Sequence, residues 1–168
     1  MALDKLTTGQ AVPRKYLAHY INATPSSDTP TWTRLGEDLE EYSVEYSADV
    51  ETVKNILGET KTRVKDYEVS ASADPYYASV GDELYSFLEN IARKRLTLDA
   101  CKTQVLTVYL WQGESGAYVA DEEEAIVEIT SLGGDTNGVN IPFTVHMTGK
   151  ITAGTFNETT KVFTETKA

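Results

Sequence analysis

The chain has 168 residues, with 15 Lys and Arg against 26 Asp and Glu, a formal net charge of −11 and a pI of about 4.6. This length fits one domain with a real core. The charge argues against DNA binding by phosphate neutralisation and against docking on anionic membranes. A hydrophobic content of 40% argues against an acidic disordered tail. The single cysteine excludes an intrachain disulfide, a cysteine-built zinc site and an iron–sulfur cluster, and favours a reducing compartment.

Most segments alternate between apolar and polar residues, which predicts strands with one packed face and one wet face. Such segments are residues 15–21, 41–49, 62–73 and 143–151. Residues 103–111 are apolar on both faces and predict a strand covered on both sides. Residues 125–132 predict a further strand, which the turn signal at 135–138 separates from the next.

One segment, at about 79–98, has helical spacing instead. Its apolar residues form one stripe, and Ser79 with Asp82 resembles a helix start. Arg93, Lys94 and Arg95 lie towards the end, where positive charge suits the helix dipole. One helix among about seven strands predicts an α+β protein dominated by antiparallel sheet.

Two stretches interrupt the strand pattern, and the whole chain 1–168 is predicted to form one domain around them. Residues 22–31 are a proline- and serine-rich loop, and residues 49–62 form a protrusion with exposed apolar side chains. A protruding apolar segment is more often a device for contacting a partner than an accident. The C-terminal segment, about 155–168, is a third candidate for contacts.

Few residues suggest chemistry. His19 and His146 lie on separate predicted strands, and Cys101 has no nucleophile motif around it. The glycine-rich run 132–138 lacks the lysine of a phosphate loop, and the acidic run 121–124 lacks calcium-loop spacing, so a solvated loop is expected there. No catalytic, cofactor-binding or metal-binding residue is predicted, and we expect the chain not to be an enzyme.

Longer blocks of sequence carry a resemblance. They are KYLAHYINAT (15–24), TWTRLGEDLEEYSVEYSADVETVKNILGET (31–60), DPYYA (74–78), DELYSFLENIARKRLTLDACKTQVLTVYLW (82–111) and GGDTNGVNIPFTVHMTGKITAGTFNETTKVFT (133–164). In this order and spacing the chain resembles the major tail proteins, the tail-tube subunits of long-tailed phages with non-contractile tails.

The resemblance implies a β-sandwich- or barrel-like tail-tube fold with one flanking helix at about 79–98. It implies hexameric rings that stack into a tube, with a tape-measure protein in the lumen and with tail terminator and baseplate or distal tail proteins as partners. Phage DNA would pass through during ejection without specific binding. The expected location is the virion, after assembly in the host cytoplasm, with no membrane contact and no cofactor.

Strand alternation then suggests which residues face the channel, since an anionic wall would repel passing phosphates. The channel-lining candidates are Glu41, Glu45, Asp49, Asp66 and Glu68. Candidates for contacts between subunits or rings are Val50, Val53, Ile56 and Leu57. Six copies would carry a charge of about −66, so contacts between subunits must overcome repulsion.

Three alternatives stay open. A monomeric β-sandwich binding module could use Trp32, Trp111, Tyr76 and Tyr77 as an aromatic platform for glycan or protein. Another ring-forming phage part, such as a tail terminator, a baseplate hub or the inner tube of a contractile tail, could share the fold. A small acidic hydrolase would need a convergent nucleophile and base, which this histidine-poor sequence does not supply.

Overall fold

Ten strands, one α-helix and two short 3₁₀ helices (Arg14–Tyr16 and Leu98–Cys101) form the regular structure of residues 3, 5–37 and 39–167, which the computed structural model describes. The predicted limits of the domain and of its C-terminal segment, residues 1 and 168, lie outside the described residues. In chain order the elements are β1 (Leu17–Asn22), β2 (Trp32–Leu35), β3 (Val44–Lys54), β4 (Thr60–Ala73), α1 (Glu83–Lys94), β5 (Lys102–Glu114), β6 (Ala117–Ile129), β7 (Gly133–Asp135), β8 (Gly138–Asn140), β9 (Phe143–Asn157) and β10 (Val162–Glu165).

The main sheet is antiparallel throughout, in the order β2-β1-β5-β6-β9-β4-β3. Strand β10 also pairs with the end of β9, and β7 and β8 form a separate hairpin. The protein is therefore α+β and mainly antiparallel β, as the sequence predicts.

The sheet is covered on opposite faces in its two halves. On the face that α1 covers, Val105 of β5 belongs to a core with Phe143 and Val145 of β9. Further along β5, Leu106 and Val108 point to the other face and belong to a second core. Strand β5 is thus apolar on both faces because it contributes to two cores. The predicted cover on both sides holds only in part of residues 103–111, because Thr107 and Tyr109 on the α1 side are half-buried. Among the described residues, the face opposite each core is uncovered in that half of the sheet, since Ser72 and His146 are exposed behind the first core and Ile151 behind the second.

Helix α1 is shorter than the sequence predicts. It begins after Asp82, whose side chain accepts a hydrogen bond from the Leu84 backbone N–H at 2.9 Å, and not at Ser79. It ends at Lys94 because Arg95 adopts the left-handed conformation, with φ of 50°. The predicted stripe holds inside these limits, where Leu84, Leu88 and Ile91 are buried in the first core.

Two other sequence expectations are corrected. Strand β3 begins at Val44, so Glu41 precedes it. The acidic run 121–124 is not a loop but the middle of β6, where Asp121 pairs with Ala153 and Glu123 with Ile151. All four acidic residues are half-buried, and the alternating buried residues lie on either side of the run, Tyr118 and Ala120 before it and Ala125 and Val127 after it.

The packing of α1 gives a prediction. Replacing the fully buried Leu88 with alanine should lower the free energy of unfolding by about 2–5 kcal/mol, because it leaves a cavity between helix and sheet. Chemical denaturation measures this. The matched control is Leu98→Ala, at a side chain that is 83% exposed, which should change stability by less than about 0.5 kcal/mol. Equal effects of the two substitutions would contradict the assignment of α1 to the core.

Candidate functional site

Residues 45–68, the outer part of the β3–β4 hairpin, form an arm that leaves the rest of the chain. Every residue of the arm is exposed except Glu51 and Asn55, which are half-buried. The two strands stay paired from Val44 with Ala71 to Lys54 with Thr60. The predicted protrusion at 49–62 is therefore the end of a regular hairpin and not an irregular loop.

One face of the arm is apolar. Directly paired residues share a face, so Tyr46 lies beside Val69, and Ala48 beside Tyr67. A bulge after Asp49 shifts the register and sets Val50 opposite Val64 on the same face. This face continues the side of the sheet that α1 covers nearer the core, since Ala71 on it is part of the first core. Within the described chain nothing covers it along the arm, where Tyr46 is 68% exposed.

The other face of the arm carries the acidic residues. Four of the five channel-lining candidates share it: Glu45, Asp49, Asp66 and Glu68. Glu45 pairs with Ser70 and Asp49 with Asp66, so the register brings these carboxylates together on the face away from α1. Glu41 is exposed in the segment before β3 and lies outside this arrangement.

The four contact candidates do not share one face. Val50 lies on the apolar face, whereas Val53 pairs with Lys61 on the charged one. Ile56 and Leu57 lie in the turn, where they are 103% and 78% exposed. The Asn55 side chain shapes this turn by accepting hydrogen bonds from the N–H groups of Leu57 and Glu59, at 3.0 and 2.9 Å.

Basic residues concentrate in the outer arm. Residues 50–65 contain four Lys and Arg but two Glu, a net charge of +2 in a chain of −11. Glu51 forms ion pairs with Arg63, at 2.6 Å, and with Lys65, at 3.1 Å. Lys54 and Lys61, on either side of the turn, have no carboxylate within 4.0 Å among the described residues. The outer arm is thus both apolar and cationic.

A groove of about 770 Å³ lies where the apolar face of the arm meets the uncovered part of the sheet. Tyr46 and Tyr67 form its arm side, and β5, β6 and β9 form the rest, with Tyr109, Glu123 and Ile151. Its other lining residues are Val44, Asp66, Val69, Val105, Thr107, Asp121, Met147, Thr148 and Gly149. Asp66 borders the groove although it pairs with Asp49 on the acidic face, because the bulge beside this pair interrupts the alternation of the strand. The lining is aromatic and aliphatic with three carboxylates and contains no Lys or Arg.

The groove is partly desolvated. Burial raises the pKa of Glu123 above its ordinary value, although the Gly149 N–H donates a hydrogen bond to this carboxylate at 3.1 Å. Burial also raises the pKa of Tyr109, and the neighbouring Asp121 acts in the same direction. A cation placed here would be stabilised more than one in open water, because screening is weaker.

The sequence does not predict the groove, because the acidic run that lines it predicts a solvated loop. The available signal is the alternation of Tyr118 and Ala120 with Val119 and Asp121, which extends strand character into the acidic run. The closeness of the arm to β5 and β6 could not be inferred from any local pattern.

Two edges of the main sheet are open. Strand β3 ends the sheet on one side and β2 on the other, and neither has a second strand partner among the described residues. Edge strands present unpaired backbone N–H and C=O groups, which can pair with another chain. The 11 residues of β3 make the longer of the two edges.

The residues considered for chemistry lie apart. His19 is buried beside Tyr42, with ring centroids 4.9 Å apart, whereas His146 is exposed and pairs with Glu128 at 2.6 Å. Cys101 is buried, and burial raises the pKa of its thiol, which disfavours the reactive thiolate. Within residues 3, 5–37 and 39–167, no three His, Cys, Asp or Glu side chains are arranged to hold a metal ion.

The aromatic platform of the binding-module alternative is not assembled. Trp32 is buried in the second core, and Trp111 packs against that core. Tyr76 packs against the first core, with its ring 5.5 Å from that of Phe143. The four aromatic residues therefore do not form one surface.

No helix in the described part of the chain is long and apolar enough to span a membrane. No protein-family model matches the chain. No curated protein matches it either. Among solved structures, the chain is similar to one described as "Cryo-EM structure of the anti-feeding prophage cap (AFP tube terminating cap)". The identity is 12% and the TM-score 0.49, and the match covers 90% of this chain and 96% of the other.

The buried His19 gives a pH prediction. Burial, with Arg14 nearby, lowers its pKa to about 4 from 6.5. The unfolded chain therefore binds a proton at a higher pH than the folded one, so the stabilisation is complete above about pH 6.5 and is lost as pH falls towards 4. The loss should reach roughly 3 kcal/mol.

Denaturant titrations of the wild type and of His19→Phe at pH 7 and pH 4.5 measure this contribution. The stability difference between the two proteins should shift in favour of the variant at the lower pH. An unchanged difference would mean that His19 titrates equally in the folded and unfolded chains.

Proposed function

We propose that this chain is a structural subunit of a phage tail tube. Copies associate into hexameric rings, the rings stack, and the polar face of the arm lines a channel through which phage DNA leaves the capsid. The resemblance of sequence blocks to major tail proteins supplies the ring number and the cargo. The structure supports association itself.

The observation that carries the proposal is the arm. An isolated two-stranded hairpin is marginally stable in water, and this one is exposed on both faces over residues 45–68. Its alternating pattern would bury one face, yet a single chain leaves Tyr46, Val50 and Tyr67 uncovered. Contiguous exposed apolar side chains mark an interaction surface, and the open edge of β3 lies beside them. A neighbouring copy would cover both.

The opposite face of the arm suits a channel wall. Glu45, Asp49, Asp66 and Glu68 lie together there, and no basic side chain pairs with any of them among the described residues. Uncompensated carboxylates repel phosphates, so DNA would pass without being held. Under this proposal, the acidic face of the arm lets DNA slide past because it does not bind phosphates.

The rest of the proposal follows from the same role. A tape-measure protein would occupy the lumen, tail terminator and baseplate or distal tail proteins would contact the tube ends, and the location would be the virion. A structural role needs no cofactor and no catalysis, in keeping with the dispersed positions of His19, His146 and Cys101.

Electron microscopy of the purified chain at increasing concentration tests the proposal directly. Long tubes with sixfold end views are expected. Single rings that do not stack would indicate a tail terminator or baseplate part instead. A species that stays monomeric by size-exclusion chromatography at all concentrations would indicate a binding module.

The arm gives a prediction about assembly. Deleting residues 50–64 and joining Asp49 to Lys65 through an Asn-Gly turn should abolish tubes. The variant should keep the melting temperature of the monomer within a few degrees, because the deleted residues touch neither core. Electron microscopy and thermal denaturation measure the two effects. Tubes formed by the shortened chain would show that the outer arm is not needed for assembly.

The channel face gives a second prediction. Glu45→Lys with Asp49→Lys should leave tube formation intact but make the tubes retain short duplex DNA, because the wall then attracts phosphates. Co-sedimentation of labelled DNA with tubes at low salt measures retention. The control is Glu89→Lys with Asp99→Lys, an equal charge change on the α1 side of the chain. Equal retention by both variants would mean that Glu45 and Asp49 do not face the lumen.

A further inference from the structure

We infer that the tip of the arm of one copy docks in the groove of the next copy. The tip is the turn with Ile56 and Leu57, together with Lys54 and Lys61 beside it. The inference rests on the proposed function, because it names the contact by which tube subunits join.

The occupant must come from another copy. Tyr46 and Tyr67, which line the groove, lie at the base of the arm, whereas the turn lies about ten residues further along β3. At about 3.3 Å per residue the tip is roughly 30 Å from Tyr46. Strand pairing is continuous along the arm apart from one bulge, so the tip cannot turn back into its own groove.

Charge complementarity identifies that copy's tip as the occupant. On its sheet side the groove carries Asp121 and Glu123, and no Lys, Arg or His of the described chain lies within 4.0 Å of their carboxylate oxygens. Lys54 and Lys61 likewise lack an acidic partner, whereas Arg63 and Lys65 share Glu51. Each surface therefore carries the charge that the other lacks.

The apolar parts are complementary as well. Ile56 and Leu57 are almost fully solvated in one chain, and the groove offers Val105, Tyr109 and Ile151. A volume of about 770 Å³ is in the range of pockets that enclose a small molecule, so two aliphatic side chains and the lysine stems fit. Burying the aliphatic side chains would supply affinity, and the lysines would fix the register.

The contact joins two different surfaces, so it is head-to-tail and repeats from copy to copy. Such contacts close into rings or continue as filaments. They also offset the electrostatic repulsion between chains of charge −11, because the cationic tip of one copy contacts the carboxylates of the next. The same arm thus separates a cationic tip, which binds protein, from an acidic base, which faces the channel.

Cross-linking tests the contact. A copy with Ile56→Cys is mixed with an affinity-tagged copy with Ile151→Cys, and a short bismaleimide is added. Cys101 is buried and does not compete. We expect tagged–untagged dimers at least tenfold above those of a control pair in which Val80→Cys replaces Ile151→Cys, because Val80 lies outside the groove at a site that is more exposed, 110% against 62%. Equal yields from the two pairs would overturn the inference.

Charge exchange tests the pairing. Lys54→Glu with Lys61→Glu should raise the concentration needed for assembly at least tenfold, whereas Arg93→Glu with Lys94→Glu on α1 should change it less than threefold. Adding Asp121→Lys with Glu123→Lys to the tip variant should restore most of the loss. If the fourfold variant does not fold, Asp121→Asn with Glu123→Gln in the otherwise wild-type chain takes its place. This milder variant should also raise the concentration needed for assembly.

The outcomes separate the two proposals. If the chain forms tubes that tolerate the tip substitutions and show no specific cross-link, the docking of tip in groove is overturned and the proposed tube function stands. A specific cross-link in a protein that forms dimers or single rings but never tubes supports the docking and overturns the tube.

Discussion

The structure depends on how one sheet is covered. Strands β5, β6 and β9 each run through two cores that lie on opposite faces of the sheet. Helix α1 covers one face in one half, and the second core covers the other face in the other half. Each half of the sheet therefore buries its apolar side chains on one face only and leaves the other face open. The part of the α1 side that no core covers forms the groove, and the outer parts of β3 and β4 form the arm.

This arrangement leaves a single chain with unburied apolar surface in a predictable place. The apolar rows of β3 and β4 begin in the first core with Ala71 and continue outwards through Tyr46 and Tyr67. The row is one continuous face, buried near α1 and bare along the arm. Under the proposed function, assembly would extend the first core of each subunit across the boundary between copies, because the apolar face of the arm continues that core.

Charge is distributed unevenly along the arm, with an acidic base and a cationic tip. The net charge of −11 first argues against nucleic-acid binding, and the structure places four carboxylates together on the arm face away from α1. The cations that would offset them lie further out, with Lys54 and Lys61 beside the turn. Under the proposed function, repulsion serves the channel and attraction serves the contact. One hairpin holds both because its base and tip lie roughly 30 Å apart, well beyond the screening length of physiological salt.

The sequence by itself determined the antiparallel α+β class, the helical stripe of Leu84, Leu88 and Ile91, the two-faced strand β5 and the alternation that puts Glu45 and Asp49 on one face. These are local periodicities, which backbone geometry imposes on neighbours in sequence. The tertiary structure decided the rest: that Asp121 and Glu123 lie on a strand, that Tyr46 faces Tyr109 across a groove, and that Trp32 is buried. Such contacts join residues tens of positions apart. They depend on which distant strands pair and which face each core covers, and no local pattern encodes that pairing.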